Sequence, residues 1–277
     1  MKTYASLLNS IASMGKIDYI GSTVLGYGIP LVRIGKEVPR TLIIGSVHAR
    51  EHITTLMLNE VVKLNTDCSF DYIPMLNIDG VSLSIDGINF ITDEERKKNL
   101  YKYNNYNMDF SMWKANANGV DLNVNFDAEW GEGKNNITYP APENYIGKTP
   151  NSEPETQAVV NLLKKNNYAM VACYHSKGEV VYWGFESNFR YYKEAKAIAE
   201  GLNYSLERSD GSAGGIKDYY CTKYKGLGIT IEIGKDSFSH PYPESELPNL
   251  ISKHKDSLRL ICQTGGKIAR EIYGGSS

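Results

Sequence analysis

Cysteine is scarce in this chain: four in 277 residues (Cys68, Cys173, Cys221 and Cys262), scattered and without a C-x-x-C pair. That excludes a disulfide-knit miniature scaffold and a cysteine-rich zinc module, and it reads as a disulfide-free chain of a reducing compartment. Long apolar runs are missing as well. No stretch approaches the roughly 18 uninterrupted apolar residues of a bilayer span. No basic run stands out, and Lys+Arg 30 against Asp+Glu 32 leaves a formal net charge of -2, so neither nucleic acid nor an anionic membrane is expected as the partner. At the beginning of the chain Tyr4, Leu7, Leu8, Ile11 and Met14 fall at helical spacing, while Asn9, Ser10 and Ser13 interrupt any secretory apolar core. The expectation is an amphipathic helix and a cytoplasmic protein.

What is present is globular. With 42% hydrophobic and 22% charged residues, disorder and coiled coil are excluded, and the length allows one large domain or two small ones. Short strands are expected around 17–26 and 29–35, and apolar runs of strand length at 41–47, 70–78, 168–176 and 227–234. Helical texture lies at 54–64, 154–165, 191–202 and 244–273. Ser152-Glu153-Pro154-Glu155 has the spacing of a capping box opening the second of these helices. The polar, Asn- and Tyr-rich stretch 92–115 reads as a long excursion of the kind that carries function. Buried-type strands alternating with helices predict an α/β fold whose mixed, mostly parallel sheet is covered on both faces. In such sheets ligands bind beyond the carboxyl ends of the strands.

Three strands end in residues that can do chemistry. His48-Ala49-Arg50-Glu51 follows the run 41–47, His175 closes the run 168–176, and Glu232 is a lone charge inside 227–234. Hydrolytic zinc typically has three protein ligands and one open position, and two histidines with a glutamate is a known set. On a helical turn His48 and Glu51 share a face. A lone H-x-x-E recurs by chance, and Glu51 could simply favour the positive end of a helix; two of the chain's five histidines at strand ends weigh against that.

The strings GSVHAREHITT, PMLNIDGV, WKANANGVDLNVNF, SEPETQAV, YHSKG and GITIEIG, in that order between Ile20 and Ile233, resemble the zinc carboxypeptidase family. Within it, WKANANGVDLN and SAGGIKDYY are most similar to the bacterial γ-D-glutamyl-diaminopimelate endopeptidases, which act on peptidoglycan stem peptides. The resemblance implies a single catalytic domain over 1–277 with an eight-stranded sheet. It implies one zinc ion held by His48, Glu51 and His175, and Glu232 as the catalytic proton carrier. Asp121 matches the aspartate that accepts a hydrogen bond from the first zinc histidine, fixing its tautomer. Arg50 and Asn123 match positions that hold the substrate's carboxylate and backbone. Lys114 stands in place of the arginine that steadies the oxyanion, able to supply charge but not the planar fork, and either Arg50 or Lys114 is expected to take that role.

Two departures bear on the substrate. Val124 replaces the arginine that clamps a C-terminal carboxylate, which puts ordinary C-terminal trimming in doubt. Lys217 replaces the residue at the floor of the specificity pocket, where a cation favours a carboxylate and so suits diaminopimelate. Counting back from Glu232, the family's mobile tyrosine falls on Asp210; Tyr204, Tyr219 and Tyr220 are alternatives. His52 is expected to pack or support the site, and His240 and His254 to lie at the surface. The expected activity is zinc-dependent hydrolysis of the γ-D-glutamyl–diaminopimelate amide in a murein stem peptide. Alternatives are a carboxypeptidase releasing acidic C-terminal residues and a silent binder of wall peptides.

Overall fold

A computed structural model describes residues 2–38, 40–186, 188–209 and 211–274. The chain opens with helix α1 (Lys2–Ile11) and the hairpin β1 (Lys16–Ser22) and β2 (Gly28–Ile34). Strand β3 (Thr41–Ile44), helix α2 (Ile53–Leu64), strand β4 (Phe70–Ile73) and helix α3 (Ile78–Asp86) follow. Helix α4 (Glu94–Tyr103) leads into a long irregular region that ends at helix α5 (Pro154–Lys165). Then come β5 (Met170–Ser176), β6 (Val180–Trp183), α6 (Tyr192–Leu202), β7 (Ser205–Glu207), α7 (Ile216–Lys223) and β8 (Leu227–Ile233), with α8 (Leu247–His254) and α9 (Ser257–Tyr273) closing the fold.

The strands form one eight-stranded sheet in the order β1-β2-β4-β3-β5-β8-β6-β7. Its centre, β4-β3-β5-β8, is parallel; β1, β2 and β6 join antiparallel, and β7 runs parallel to β6. This is the mixed, mostly parallel α/β architecture expected from the sequence. Every residue of β3 and β5 is buried, because helices cover both faces of the central sheet. The edge strand β1, by contrast, is largely exposed or half-buried. No helix among the described residues is long and apolar enough to cross a membrane.

Four local expectations are corrected. The strand at 70–78 stops at Ile73, because Asn77 leaves the sheet and caps α3, its side chain accepting from Gly80 N at 3.0 Å. The excursion at 92–115 contains α4, capped by Asp93. The capping box at Ser152 does not form: Pro154 sits at the first helical position, Glu153 is the N-cap, and Ser152 instead donates its hydroxyl to the Glu153 carboxylate at 2.8 Å. His254 is fully buried, its Nε2 2.9 Å from the Tyr204 hydroxyl, and burial pushes its pKa down to about 3. A neutral imidazole that shares a proton with a phenol packs inside without a charge to desolvate.

Candidate metal centre and active site

The site is built where parallel strands end. Gly45 leaves β3 pressed against the exit of β4: a Cβ on it would meet Pro74 O at 2.7 Å, so no larger residue fits. Ser46 then turns through a positive φ of 44° and is pinned by Thr54 and Thr55, its backbone N–H donating to Thr54 Oγ1 at 2.9 Å. The chain enters a 3-10 turn at Ala49–Glu51, which carries His48 and Glu51 to one side. Asn77 holds this arrangement from below, its amide donating to the carbonyls of Val47, Lys114 and Ala115 at 3.1–3.3 Å. Its signal in the sequence was only an asparagine at the end of an apolar run.

Three side chains from two distant parts of the chain converge here. His48 Nδ1 lies 2.8 Å from one Glu51 oxygen, His175 Nδ1 lies 3.0 Å from the other, and the two Nδ1 atoms are 3.1 Å apart. Two imidazole nitrogens this close need a proton or a cation between them. Tetrahedral zinc, with bonds of about 2.0–2.2 Å, spaces its ligand atoms roughly 3.3 Å apart, so the cluster has close to the right dimension. All three residues are buried, and they are the one group of this kind among the described residues. The nitrogen and oxygen donors suit zinc. Burial opposes ionisation of Glu51, but His48 and His175 outweigh it and hold the carboxyl well below its usual range.

A chain of charges backs this cluster. His48 Nε2 faces Asp121 Oδ1 at 3.3 Å, and Lys114 Nζ lies 2.7 Å from Asp121 Oδ2. Asp121 also accepts from the backbone of Asn123 at 3.0 Å and of Asn144 at 3.2 Å. Its burial is outweighed by Lys114 and His48, so its carboxyl stays well below the usual range. Lys114 is therefore engaged behind the histidine. Arg50 reaches Glu143 at 3.1 Å and Met112 O at 3.2 Å, and its Nε is buried without a partner.

Glu232 is the cross-strand partner of His175 on β8. Burial, against the pull of His175 and with Glu51 adding to it, pushes its carboxyl up to about 8. A cation held at the triad would draw that value down, because the ion would be the largest local charge. Glu232 lines a cavity of about 370 Å³ together with Asn123, Lys217 and Asp218. Lys217 was expected to offer its charge to a ligand. Instead it is buried, its Nζ bound to Asp218 and donating to Gly184 O at 2.7 Å. The chain supplies that carboxylate itself. Asp210 lies outside the described residues; Tyr204 and Tyr220 are buried with their hydroxyls bonded to His254 and to Tyr168 O.

His52 is buried, with Nε2 3.4 Å from Glu244. His240 is half-buried rather than at the surface, among the charges of Glu51, Arg50 and Lys177, and its Nδ1 is buried without a partner. It joins Tyr182, Glu143 and Arg208 among residues near the cleft that sequence motifs did not reveal, since each comes from a loop or an outer strand with no distinctive spacing.

The zinc carboxypeptidase family model matches residues 2–257. "Gamma-D-glutamyl-L-diamino acid endopeptidase 1" of Lysinibacillus sphaericus is 34% identical over 255 residues, covering 83% of this chain and 63% of its own length. Rat carboxypeptidase B is 26% identical over 266 residues, covering 82% of this chain and 60% of its own. The chain thus spans less than two thirds of the length of either relative. Bovine thrombin-activatable fibrinolysis inhibitor shares the fold at a TM-score of 0.74 and 20% identity, covering 96% of this chain and 95% of that one. The murein-tripeptide amidase of Escherichia coli O157 does so at 0.59 and 20%, covering 91% and 94%. With the converging imidazoles and carboxylate at the strand ends and a family match over nearly its whole length, this chain belongs to the zinc carboxypeptidase family.

Proposed function

We propose that the chain is a zinc-dependent peptidase that hydrolyses an amide bond in a peptidoglycan stem peptide, the γ-D-glutamyl–diaminopimelate bond. The observation that carries the reading is the convergence of His48 Nδ1, Glu51 and His175 Nδ1 within 3.1 Å, with Glu232 on the adjoining strand. The substrate assignment draws on the name of the Lysinibacillus relative and on Val124, which offers no clamp for an ordinary C-terminus.

His48, Glu51 and His175 would hold the ion, and Asp121 would keep the Nε2 proton of His48 so that Nδ1 is free to bind. Zinc with three protein ligands acts as a Lewis acid and lowers the pKa of water. Glu232 takes a proton from the attacking water and returns it to the departing amine. Lys114, paired with Asp121 at 2.7 Å, raises the positive potential behind His48. Steadying of the oxyanion falls to Arg50, whose Nε has no partner, and Asn123 binds the substrate from the cavity wall.

The test compares a γ-D-glutamyl-diaminopimelate peptide with an ordinary peptide ending in glutamate, both with zinc-loaded protein and with products identified by mass. Release of diaminopimelate is expected. Release of glutamate from the second peptide alone would make the protein an acidic-residue carboxypeptidase, and full zinc with no hydrolysis would make it a binder.

A further inference from the structure

The cavity beside Glu232 has a second charged wall. Cross-strand pairing places Thr230 of β8, Tyr182 of β6 and Glu207 of β7 in one row, so their side chains stand on one face, and all three line the cavity. Arg208 follows directly and lines it as well.

Two cations therefore border this space, and they differ in what they have left to give. Lys217 is committed to Asp218 and the Gly184 carbonyl. Arg208 donates from Nη2 to Glu186 O at 3.0 Å, and its guanidinium lies over the Phe189 ring at 4.6 Å. Among the described residues no carboxylate pairs with it. An arginine has five N–H donors, so the plane is fixed and most of the fork is unspent. Glu207 accepts the Ser205 hydroxyl at 2.9 Å on one oxygen, which leaves the other. A cation and an anion one residue apart at the rim match a ligand group that bears both charges.

We propose that Arg208 and Glu207 read the far end of the side chain released on the leaving side of the cut bond: Arg208 takes its carboxylate and Glu207 its ammonium. The inference rests on the hydrolase reading above and names the substrate feature that this site selects, a zwitterionic side-chain end such as that of a diamino diacid. A lysine side chain satisfies only Glu207, and a glutamate side chain only Arg208. Val124 and the self-paired Lys217 leave Arg208 as the cavity's available carboxylate partner.

Three dipeptides separate the parts: γ-D-glutamyl linked to meso-diaminopimelate, to lysine and to glutamate, each assayed for kcat and KM with zinc-loaded protein. Arg208→Gln is expected to raise KM roughly tenfold for the diaminopimelate and glutamate peptides, the size of one charge-assisted hydrogen bond, with kcat and the lysine peptide little changed. Arg208→Lys should recover part of the loss. Glu207→Gln should raise KM for the diaminopimelate and lysine peptides only. Equal effects on all three peptides, or none, would overturn the assignment. If the parent protein cleaves no γ-linked peptide, the γ-glutamyl hydrolase reading fails, and calorimetry with free meso-diaminopimelate then decides this one. Binding weakened roughly tenfold in Arg208→Gln supports it, whereas unchanged binding, or none by the parent protein, overturns it.

Discussion

Two pairs of buried carboxyls are pushed in opposite directions by their surroundings. At the strand ends Glu51 and Asp121 are surrounded by His48, His175 and Lys114, which keep both acids ionised against the cost of burial. At the turn between β1 and β2, Asp79 and Glu155 accept from neutral donors: Thr23 Oγ1 and Leu25 N for Asp79 at 2.7 and 2.8 Å, Val24 N and the Asn116 amide for Glu155 at 3.1 Å. Burial raises the Asp79 carboxyl to about 6, and burial with the Asp79 charge raises Glu155 to about 8. Depth alone therefore does not mark a functional acid. A buried carboxylate kept charged by imidazoles is a candidate ligand; a raised one is functional where it faces the cluster, as Glu232 does, and a clamp between loops where it meets only neutral donors, as Glu155 does.

The contrast can be broken from either side. The largest effect is expected from His175→Ala, which removes one of three ligands: zinc content by elemental analysis should fall to background, and added zinc should no longer raise the melting temperature. Glu232→Gln should keep zinc and lower kcat by about 10³-fold, read by metal analysis beside the peptide assay. Retained activity in that variant would remove Glu232 from the chemistry. Asp121→Asn should weaken zinc binding by about 10–100-fold, measured by competition with a chelator, because it loosens the orientation of His48 without removing a ligand.

On the clamp side, Asn116→Ala strips a donor from Glu153 and Glu155, bonded at 2.8 and 3.1 Å, and should destabilise the fold by about 1–3 kcal/mol in urea unfolding while zinc content holds. The smallest effect is one of slope. Folded Asp79 and Glu155 keep protons that the unfolded chain gives up, at ordinary values of 3.8 and 4.5. Their stabilisation is complete below those values and is lost as pH rises through about 6 for Asp79 and about 8 for Glu155. Glu155→Gln should flatten the fall in urea midpoint across pH 5–8 in zinc-loaded protein. An unchanged slope would mean that Glu155 is already ionised in the folded state.

The sheet and the converging triad were legible because their residues carry strong local signals. A near-continuous apolar run such as 41–47 predicts a strand covered on both sides, and β3 is buried throughout. His48, Glu51 and His175 stood out as polar residues at the ends of such runs. The pairing of Lys217 was not legible because its partner is the next residue in the chain, and adjacent side chains do not ordinarily meet; here both stand in the first turn of α7, with Nζ bound to Asp218. His254 looked like part of a polar helix surface, and only the packing of α8 against Tyr204 shows otherwise. Glu143 and Arg208 could not be foreseen at all, since they reach the cleft through irregular backbone and an edge strand that periodicity does not describe.

The pairing of Arg50 with Glu143 at 3.1 Å means that the mouth of the cleft carries its own decoy anion. Any anionic group brought to Arg50, a substrate's carboxylate or its oxyanion, would have to exchange with Glu143 for the same guanidinium. Selection then becomes an exchange between rivals for one seat, and added salt, which screens both alike, should alter the choice of peptide far less than it alters the speed of encounter.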